Sequence, residues 1–486
     1  MALLQELENI VGTAGICRWE DTQEFLQKII AGAIAPGTKI DCIVYPNTQA
    51  ELAAAIACVS RNHCGVLPMG GGSKLDWGGL VKTEPPIPPY PPLVRGGIEI
   101  SNISEPPFLR GKIEISNISE PQSTREINLS EPPFLRGAGG IVAVSCDRIN
   151  RLIDRAIGDL TVTIEAGMKF TKLQEILANA NQFLPLDPTY SETATIGGII
   201  ATADAGSWRQ KYRGVRDLLL GITFVRADGK IAQAGGRVVK NVAGYDLMKL
   251  LTGSYGTLGV ISQVTMRVYP LPEASSTVIL TGETTNLAKA TQTLLSSSLT
   301  PTALDLLSTR LVEKLGFGKS LGLIVRFQSV AESVKEQSTR LLELGNHLGL
   351  KGITCTENDE FNLWQRLKET ISQPVSDSTI LCKIGVTPSA AANILTDLNL
   401  GDSLIHGGSG LGIFRIDMAT AEIILQLRRQ CELKGGFLTI LKAPPDLKQQ
   451  IDVWGYQGNA LNLMQKIKQQ FDPQNILNPH RFLSGI

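Results

Sequence analysis

The sequence predicts an α+β protein that divides into two or three domains. Its 486 residues exceed what one ordinary hydrophobic core holds. Strand candidates with alternating apolar residues follow one another between short amphipathic helices. Glycines gather beside small or β-branched residues, which indicates places where the backbone approaches something closely, and we expect something flat or phosphorylated to lie against it. These clusters lie at 70–72, 197–198, 235–236 and 253–259.

The composition excludes several broad classes of protein. Apolar residues make up 43% of the chain and charged residues 19%, as in soluble globular proteins. The formal net charge is zero, so a general nucleic-acid binder is not expected. The sequence has no apolar run of about eighteen residues, and acidic side chains stand where a signal peptide would be basic. A cytoplasmic location is therefore expected.

The eight cysteines are scattered through apolar segments, and no CxxC spacing occurs. We therefore expect them to be reduced and buried. Iron–sulfur clusters and structural zinc need clustered thiolates, so no metal site is predicted. Any electrons that leave this protein must then pass to a partner or to a small acceptor.

The first segments read as strand, helix and strand. Residues 39–45 form a strand candidate, and Thr48 is an N-cap for the helix that follows, with Glu51 at the capping-box position. A second strand then runs into the turn Gly70–Ser73, which would present successive backbone N–H groups suited to a pyrophosphate. A plain tight turn is the alternative. Neither a GxGxxG nor a GxxxxGK[ST] motif is present.

A proline-rich repeat interrupts this pattern at residues 83–137. The sequence IEISNISEP occurs at 98–106 and again at 113–121. A repeat this short and proline-rich is typical of inserted low-complexity sequence rather than of a solenoid. We interpret it as a surface loop without a function, with partner binding as the alternative.

Beyond the insert, strand and helix candidates continue to the C-terminus. TVTIEAG and VISQVTMRVYPLP alternate as strands, and FTKLQEILANANQ has helical periodicity. From about residue 273, five helical runs separate strand candidates and predict a second α+β sandwich. The expected domains are 1–272, 273–445 and a C-terminal helix and tail at 446–486. The strand candidates of the second part are STVIL, LGLIVRF, TILCKIGV, LGIFRI and FLTIL.

Four separated motifs resemble one family in the same order. They are PMGGGSKLDWG, LPLDPTYSETATIGG, GGRVVKNVAGYDLMKLLTGSYGTLGVI and FDPQNILNPHRF. Together they resemble the FAD-binding fold of the vanillyl-alcohol oxidase / p-cresol methylhydroxylase (PCMH) superfamily. Within it, the chain is most similar to the E subunit of the FAD-linked glycolate oxidase (glycolate dehydrogenase) complex. The resemblance implies a two-subdomain PCMH-type FAD-binding fold, an α+β (ferredoxin-like) cap domain and a C-terminal segment that returns to the FAD domain.

The resemblance also implies which residues hold FAD. The glycine turn corresponds to the pyrophosphate loop, and two further segments and the tail approach the flavin. The loop contains no histidine, so non-covalent FAD is expected, and His480 stands where the family commonly has glycine. The implied FAD-binding residues are Pro68, Met69, Gly70, Gly71, Gly72, Ser73, Lys74, Asp187, Pro188, Thr195, Ile196, Gly197, Gly198, Gly256, Thr257, Gly259, Val260, Ile261, Asn478 and Arg481.

The catalytic residues are less defined. In the related D subunit, a histidine-rich HxGDGNxH motif supplies part of the chemistry, and the corresponding segment here is HGGSGLG at 406–412. His406 remains, but the carboxylate, the amide and the second histidine are replaced. His406 is therefore a candidate for a catalytic or a structural role. Arg326 and Arg415 are candidates for binding a substrate carboxylate, with ion pairing inside the protein as the alternative.

The resemblance implies an FAD-binding subunit of a glycolate oxidase complex. We expect it to support the D subunit, with oxidation of glycolate to glyoxylate centred elsewhere in the complex and electrons passed to a partner. Its partners would be a D-type flavoprotein and an F-type iron–sulfur subunit, its substrate a small 2-hydroxy acid, and any membrane association would run through these partners. The alternatives are a stand-alone FAD-dependent dehydrogenase for an acid such as D-lactate, and a flavin-free scaffold. The segment KNVAGYDL is expected either to cap a helix or to contact the flavin or a subunit.

Overall fold

The computed structural model describes residues 2–83, 140–237, 245–373, 376–398 and 400–486. The proline-rich repeat lies outside the described residues, as do Lys240 and Asn241 of the KNVAGYDL segment. Tyr245 and Asp246, at the end of that segment, are described: Tyr245 is exposed, and Asp246 forms an ion pair of 2.7 Å with Lys249. The chain is mixed α+β, as predicted.

The first part is a four-stranded sheet in the order β1-β2-β4-β3, in which β2, β4 and β3 are parallel. The predicted N-cap of the helix that follows β2 is confirmed, because the Thr48 side chain accepts a hydrogen bond of 3.1 Å from the Glu51 amide. The Glu51 carboxylate accepts from the amide of Asn47 rather than of Thr48. The elements are β1 (Ile16–Arg18), β2 (Ile40–Val44), β3 (Gly65–Met69), β4 (Ile141–Ser145), α1 (Ala2–Val11), α2 (Glu24–Ala31) and α3 (Gln49–Arg61), with 3₁₀ turns at Thr13–Gly15 and Trp19–Asp21.

The second part is a five-stranded antiparallel sheet in the order β5-β6-β10-β8-β9, with β7 and β11 paired beside it. One face of the sheet packs on α4, α5 and α7 around a core that includes Ile164, Ile222 and Val264. The elements are β5 (Leu152–Ala156), β6 (Thr161–Glu165), β7 (Gln182–Phe183), β8 (Leu219–Val225), β9 (Ile231–Gly235), β10 (Val260–Arg267), β11 (Tyr269–Pro270), α4 (Phe170–Ala178), α5 (Ile196–Thr202), α6 (Arg209–Tyr212), α7 (Val215–Leu218) and α8 (Leu247–Leu251).

The third part is an eight-stranded antiparallel sheet in the order β15-β12-β14-β13-β17-β18-β16-β19. The five predicted strands are present, and β13, β15 and β17 were missed. The strands are β12 (Ala274–Gly282), β13 (Ala303–Leu307), β14 (Leu321–Ser329), β15 (Lys351–Thr356), β16 (Ile380–Gly385), β17 (Asp402–His406), β18 (Leu411–Ile416) and β19 (Phe437–Lys442). The helices are α9 (Thr284–Leu295), α10 (Thr309–Leu315), α11 (Ala331–His347), α12 (Glu357–Ser372), α13 (Ala391–Asp397) and α14 (Ala421–Leu433), with a 3₁₀ turn at Pro388–Ala390.

The C-terminal segment returns to the first sheet. It contains α15 (Pro445–Gln450), α16 (Leu461–Phe471) and a 3₁₀ turn at Leu483–Gly485. The Val66 amide on β3 donates to the Ile476 carbonyl at 2.7 Å, and the Asn478 amide donates back to the Val66 carbonyl at 2.9 Å. Buried Lys468 fixes this return, because its ammonium donates to the carbonyls of Thr257 and Leu477, both at 2.9 Å, and pairs with Asp472 at 2.7 Å.

Lys448 on α15 makes the stability of the fold pH-dependent. Its ammonium donates to the Asp76 carbonyl, and burial lowers the pKa of Lys448 from 10.5 to about 7, although the nearby Asp76 carboxylate raises it. Between these two pKa values the unfolded chain binds a proton that the folded chain has released, so stability rises with pH. From pH 7 to pH 10, urea unfolding should show the wild type gaining up to about 4 kcal/mol over Lys448→Met. An equal change in both proteins would contradict this.

Candidate functional site

The first cavity encloses about 800 Å³ where four segments meet. They are the turn after β3, the first turn of α5, the start of β10 and the C-terminal tail. Its lining residues are Pro68, Met69, Gly70, Gly71, Gly72, Ser73, Lys74, Leu75, Cys146, Ala166, Ala194, Thr195, Gly197, Gly198, Ala201, Thr202, Tyr255, Gly256, Gly259, Val260, Ile261, Asn478 and Arg481.

The glycine turn after β3 lies directly against the segment that precedes α5. A Cβ atom on Gly70 would overlap the hydroxyl oxygen of Thr195, and one on Gly71 would overlap the backbone carbonyl oxygen of Thr193. A side chain at either position would therefore force the two segments apart. The close approach of this turn is thus to the second glycine segment of the same cavity, and a flat or phosphorylated group against the turn stays a prediction.

The second segment is held by the capping of α5. The Thr195 hydroxyl accepts a hydrogen bond of 3.3 Å from the Gly198 amide, and the Gly197 amide donates to the Ala166 carbonyl at 2.8 Å. A Cβ atom on Gly197 would lie 2.9 Å from the Cβ atom of Ala166. These contacts place the first turn of α5 on the cavity wall with backbone, rather than side chains, facing the space.

The tail places two buried polar side chains on the wall of the first cavity. The Asn478 amide nitrogen donates to the Tyr255 carbonyl at 2.6 Å, and Arg481 Nη2 donates to the Leu75 carbonyl and, at 3.0 Å, to the Trp77 carbonyl. Burial lowers the pKa of Arg481 to about 10, while Asp76 and Tyr255 raise it.

Each of these two side chains also has a polar atom without a partner. Among the described residues, Asn478 Oδ1 and Arg481 Nη1 are buried and make no hydrogen bond. Buried polar atoms are rarely left unpaired, so this wall fits a ligand that offers both acceptors and donors. The phosphates and ring system of FAD offer both, so the residues present fit that cofactor.

The tail backbone also explains the histidine that replaces the family's glycine. His480 has a φ of 67° and Asn478 a φ of 44°, which is the left-handed region that favours glycine. The backbone path is therefore one that glycine would take without strain, and His480 follows it.

Sixteen of the twenty residues predicted to bind FAD line the first cavity. The other four lie elsewhere. Asp187 and Pro188 line a second cavity, Ile196 is buried in the core, and buried Thr257 donates its hydroxyl to the Ser254 carbonyl at 2.7 Å. Whether the sixteen bind the cofactor remains a prediction, and so does non-covalent attachment.

The second cavity encloses about 1260 Å³ and adjoins the first, since Thr202 and Tyr255 line both. Its floor is one face of the large sheet, where Lys383 on β16, Ile413 on β18 and Leu404 on β17 stand side by side in register. Helix α12 and the segment 187–209 form the remaining walls.

Two cations in this cavity form no ion pair. Arg209 and Lys383 both line it, and neither forms an ion pair with any residue that the structure describes. Burial lowers the pKa of each, although the Asp217 carboxylate raises that of Arg209. The positive charge of Arg209 lowers the pKa of Lys383 further, while Asp204 raises it. Two partly desolvated cations close enough to repel one another favour an anion between them.

His406 lies on the same cavity, at the end of β17. Its Nδ1 is 2.6 Å from Oδ1 of Asp305, which is fully buried on the neighbouring strand β13 and directly opposite in register. A carboxylate at Nδ1 favours the tautomer in which that nitrogen carries the proton. Nε2 is then left with a free lone pair.

The two arginines predicted as carboxylate binders serve inside the protein, and neither lines either cavity. Arg326 forms an ion pair of 2.9 Å with Glu360 of α12. Arg415 is buried and pairs at 2.6 Å with Asp402, which stands opposite it in the strand register. Ion pairing, which was the alternative at the sequence level, is what the structure contains.

The sequence analysis missed Arg209, Lys383 and Asp305. The last two had a visible signal, because each is the one charged residue in an otherwise apolar strand, ILCKIG and ALDLL. A charge in such a strand must be paired or must face a site. Arg209 lies in the polar sequence SWRQKYRG, which carries no such signal.

The described residues show neither a metal-binding cluster nor a membrane-spanning helix. That part of the chain holds no group of three or more His, Cys, Asp or Glu side chains placed to bind a metal ion. None of the helices in it is both long and apolar enough to cross a membrane.

Comparison with known proteins gives family matches in two separate segments of the chain. The model of the FAD binding domain matches residues 133–235, and the model of the FAD linked oxidases, C-terminal domain, matches residues 454–482. Glycolate oxidase subunit GlcD of Bacillus subtilis is 27% identical over 383 residues, which cover 71% of this chain and 80% of that protein. Glycolate oxidase subunit GlcE of Escherichia coli is 43% identical, over 118 residues that cover 24% of this chain and 34% of that protein. The mitochondrial D-lactate dehydrogenase [cytochrome] of Arabidopsis thaliana is 24% identical over 71% of this chain and 66% of its own length.

Solved structures share the fold. The 4-ethylphenol oxidase of Gulosibacter chungangensis superposes with a TM-score of 0.67 at 13% identity, covering 100% of this chain and 97% of its own. Substrate-bound p-cresol methylhydroxylase gives 0.65 at 12% identity, with coverage of 100% and 96%. The chain therefore has the PCMH-type fold, two of its segments match the models of the FAD binding domain and of the C-terminal domain of the FAD linked oxidases, and FAD is its cofactor.

Proposed function

We propose that this chain oxidises the CH–OH group of a 2-hydroxy acid with FAD, and that it works as the FAD-binding subunit of a glycolate oxidase-type complex. One observation carries the chemistry. The second cavity adjoins the first and brings together two unpaired cations, Arg209 and Lys383, with the His406–Asp305 pair. An anion site next to a positioned base is what oxidation of such an acid requires.

Each residue has a distinct role in this proposal. Arg209 and Lys383 bind the substrate carboxylate and so fix the carbon that carries the hydroxyl. Nε2 of His406 takes the hydroxyl proton, while Asp305 holds the ring and stabilises the imidazolium that forms. FAD supplies the acceptor for the hydride of the C–H bond. The product is the corresponding 2-oxo acid.

Loss of one cation should weaken substrate binding more than it slows the chemical step. For Lys383→Met we expect the substrate Kd to rise about tenfold to a hundredfold, because a charge-assisted hydrogen bond of roughly 1.5–3 kcal/mol is lost. Lys434→Met, at an exposed position just beyond α14, is the matched control. Stopped-flow reduction of the flavin at several substrate concentrations separates Kd from rate. An unchanged Kd would remove Lys383 from the site.

Membership of a complex is supported by the matches to two glycolate oxidase subunits, GlcD and GlcE. The partners in this proposal are a D-type flavoprotein and an F-type iron–sulfur subunit, and any contact with a membrane runs through them. A stand-alone dehydrogenase is the second candidate. It is favoured by the complete set of cations and base within this one chain.

One experiment tests both levels of the proposal. The chain is purified with FAD, alone and after co-expression with D-type and F-type subunits, and glycolate and D-lactate are added without oxygen. Loss of flavin absorbance supports the chemistry, and no bleaching by these or by larger 2-hydroxy acids in either preparation would refute it. If the chain alone shows full turnover with a soluble acceptor, it is a stand-alone enzyme and not a subunit of a complex.

A further inference from the structure

Four aromatic side chains line the second cavity, among aliphatic and polar ones. Trp77 and Tyr190 meet edge to face on one side, with their ring centroids 6.4 Å apart. Tyr255 lies on the wall shared with the first cavity, and Trp364 comes from α12. Trp77 and Trp364 are 2% and 5% exposed, and the Trp364 indole is fixed by a hydrogen bond of 2.9 Å to Thr277. The aromatic wall is therefore preformed.

On the floor of the second cavity, apolar side chains continue the row that begins at Lys383. Lys383 stands next to Ile413, and Ile413 next to Leu404, along one row of the sheet face. Leu367 of α12 and Leu441 of β19 extend the apolar surface. Four acids line the cavity: Asp187 is paired with Lys368 and Asp204 with Lys74 at 2.6 Å, while Glu192 and Glu369 are exposed. The space beyond Arg209 and Lys383 is thus suited to an apolar group.

Building on the proposed function, we propose that the substrate is a 2-hydroxy acid with an aryl side chain, of which 3-phenyllactate is the simplest. Its carboxylate lies between Arg209 and Lys383, and its ring packs against Trp77, Tyr190 and Trp364. Offset and edge-to-face contacts between rings are the arrangement that such walls favour. The chemistry at the hydroxyl carbon is unchanged, so the products are an aryl 2-oxo acid and reduced FAD.

The aromatic lining of the cavity argues against glycolate as the preferred substrate. Glycolate has no side chain, so it would leave the aromatic wall in contact with water. A phenyl ring removes that apolar surface from water, and each apolar increment in such a pocket changes specificity roughly tenfold or more.

A ligand series tests this inference separately from the proposed function. FAD-loaded protein is titrated with glycolate, lactate, 3-phenyllactate and 3-phenyllactamide, with the quenching of tryptophan fluorescence as the binding signal. We expect 3-phenyllactate to bind at least tenfold more tightly than lactate, and the amide, which lacks the carboxylate, to bind at least tenfold more weakly than 3-phenyllactate. Equal or tighter binding of lactate or glycolate would overturn the inference. Flavin bleaching is read in the same samples: tight binding of 3-phenyllactate without bleaching by any acid counts against the proposed function alone.

Two variants at Ile413 test where the aryl ring of the substrate lies. Ile413→Phe places a phenyl group on the cavity floor, where it competes with the ring of the substrate, and Ile413→Val is the matched control that only shortens the side chain. The ratio of lactate Kd to 3-phenyllactate Kd is measured on one preparation, so a partly unfolded fraction does not affect it. The ratio should fall at least fivefold in Ile413→Phe and stay within twofold in Ile413→Val. An unchanged ratio in a folded Ile413→Phe protein would overturn this placement of the aryl group.

Discussion

The His406→Gln variant is expected to reduce its bound flavin roughly 100- to 10,000-fold more slowly than the wild type, the range that a positioned general base contributes. Glutamine keeps a polar side chain of similar size but cannot take a proton at neutral pH. Substrate affinity should change little, because the carboxylate is held by Arg209 and Lys383. Stopped-flow spectroscopy at saturating substrate measures the rate directly.

Two further variants make this result specific. His347→Gln, at the exposed end of α11, should leave the rate unchanged and controls for the substitution itself. Asp305→Asn retains the ring contact but offers an amide where the carboxylate stood, so it favours the wrong tautomer of His406 and should also slow reduction. A His406→Gln protein with full FAD content and a wild-type rate would show that His406 is structural.

The Gly71→Ala variant is expected to lose FAD affinity by roughly tenfold to a hundredfold. The added Cβ atom would overlap the Thr193 carbonyl oxygen, which is backbone and cannot rotate away. The glycine turn must then move off the segment before α5, and overpacking of this kind costs about 1–3 kcal/mol. Because the turn forms part of the wall of the first cavity, we expect this free-energy cost to weaken the binding of FAD. The flavin-to-protein ratio and titration of apoprotein with FAD measure it.

Gly158→Ala is the matched control for this substitution. Gly158 has no atom within 4 Å of the position of a Cβ and lies in the turn between β5 and β6. Its FAD affinity should equal that of the wild type. If Gly71→Ala binds FAD as tightly as Gly158→Ala does, the turn is not part of the cofactor site.

Much of the first cavity could be predicted from local sequence signals. The turn at 70–73, the capped start of α5 and the bend before β10 are each defined by neighbours in sequence, so glycine and threonine could be interpreted from their own segments. The cap at Thr48 followed the same logic and is confirmed. These features can be predicted without knowing the order of the strands in the sheets.

The second cavity depends on strand order, which no local pattern contains. Arg415 looked available for a carboxylate because its strand is apolar, yet the register places it directly opposite Asp402. Asp305 and His406 are 101 residues apart in sequence and meet only because β13 pairs with β17. Lys383 reaches the same face because β18 lies between β16 and β17. Pairings between strands so distant in sequence are set by the packing of the whole sheet.

Three strands, β13, β15 and β17, were not predicted because their own sequences carry too weak a pattern. β13 and β17 are five residues each, and β15 is an edge strand with a mostly exposed face. Short or half-polar segments carry too few alternations to be separated from loops. Helices such as α11, with seventeen residues, repeat their pattern often enough to be recognised.

The hydrogen bonds between Val66 and the residues at 476 and 478 determine when the cofactor cavity is completed during synthesis. Asn478 and Arg481 come later in the sequence than every other residue that lines this cavity. They leave the ribosome after every other wall of the cavity has been made. A nascent polypeptide that has not reached Arg481 therefore lacks part of the wall that fits FAD.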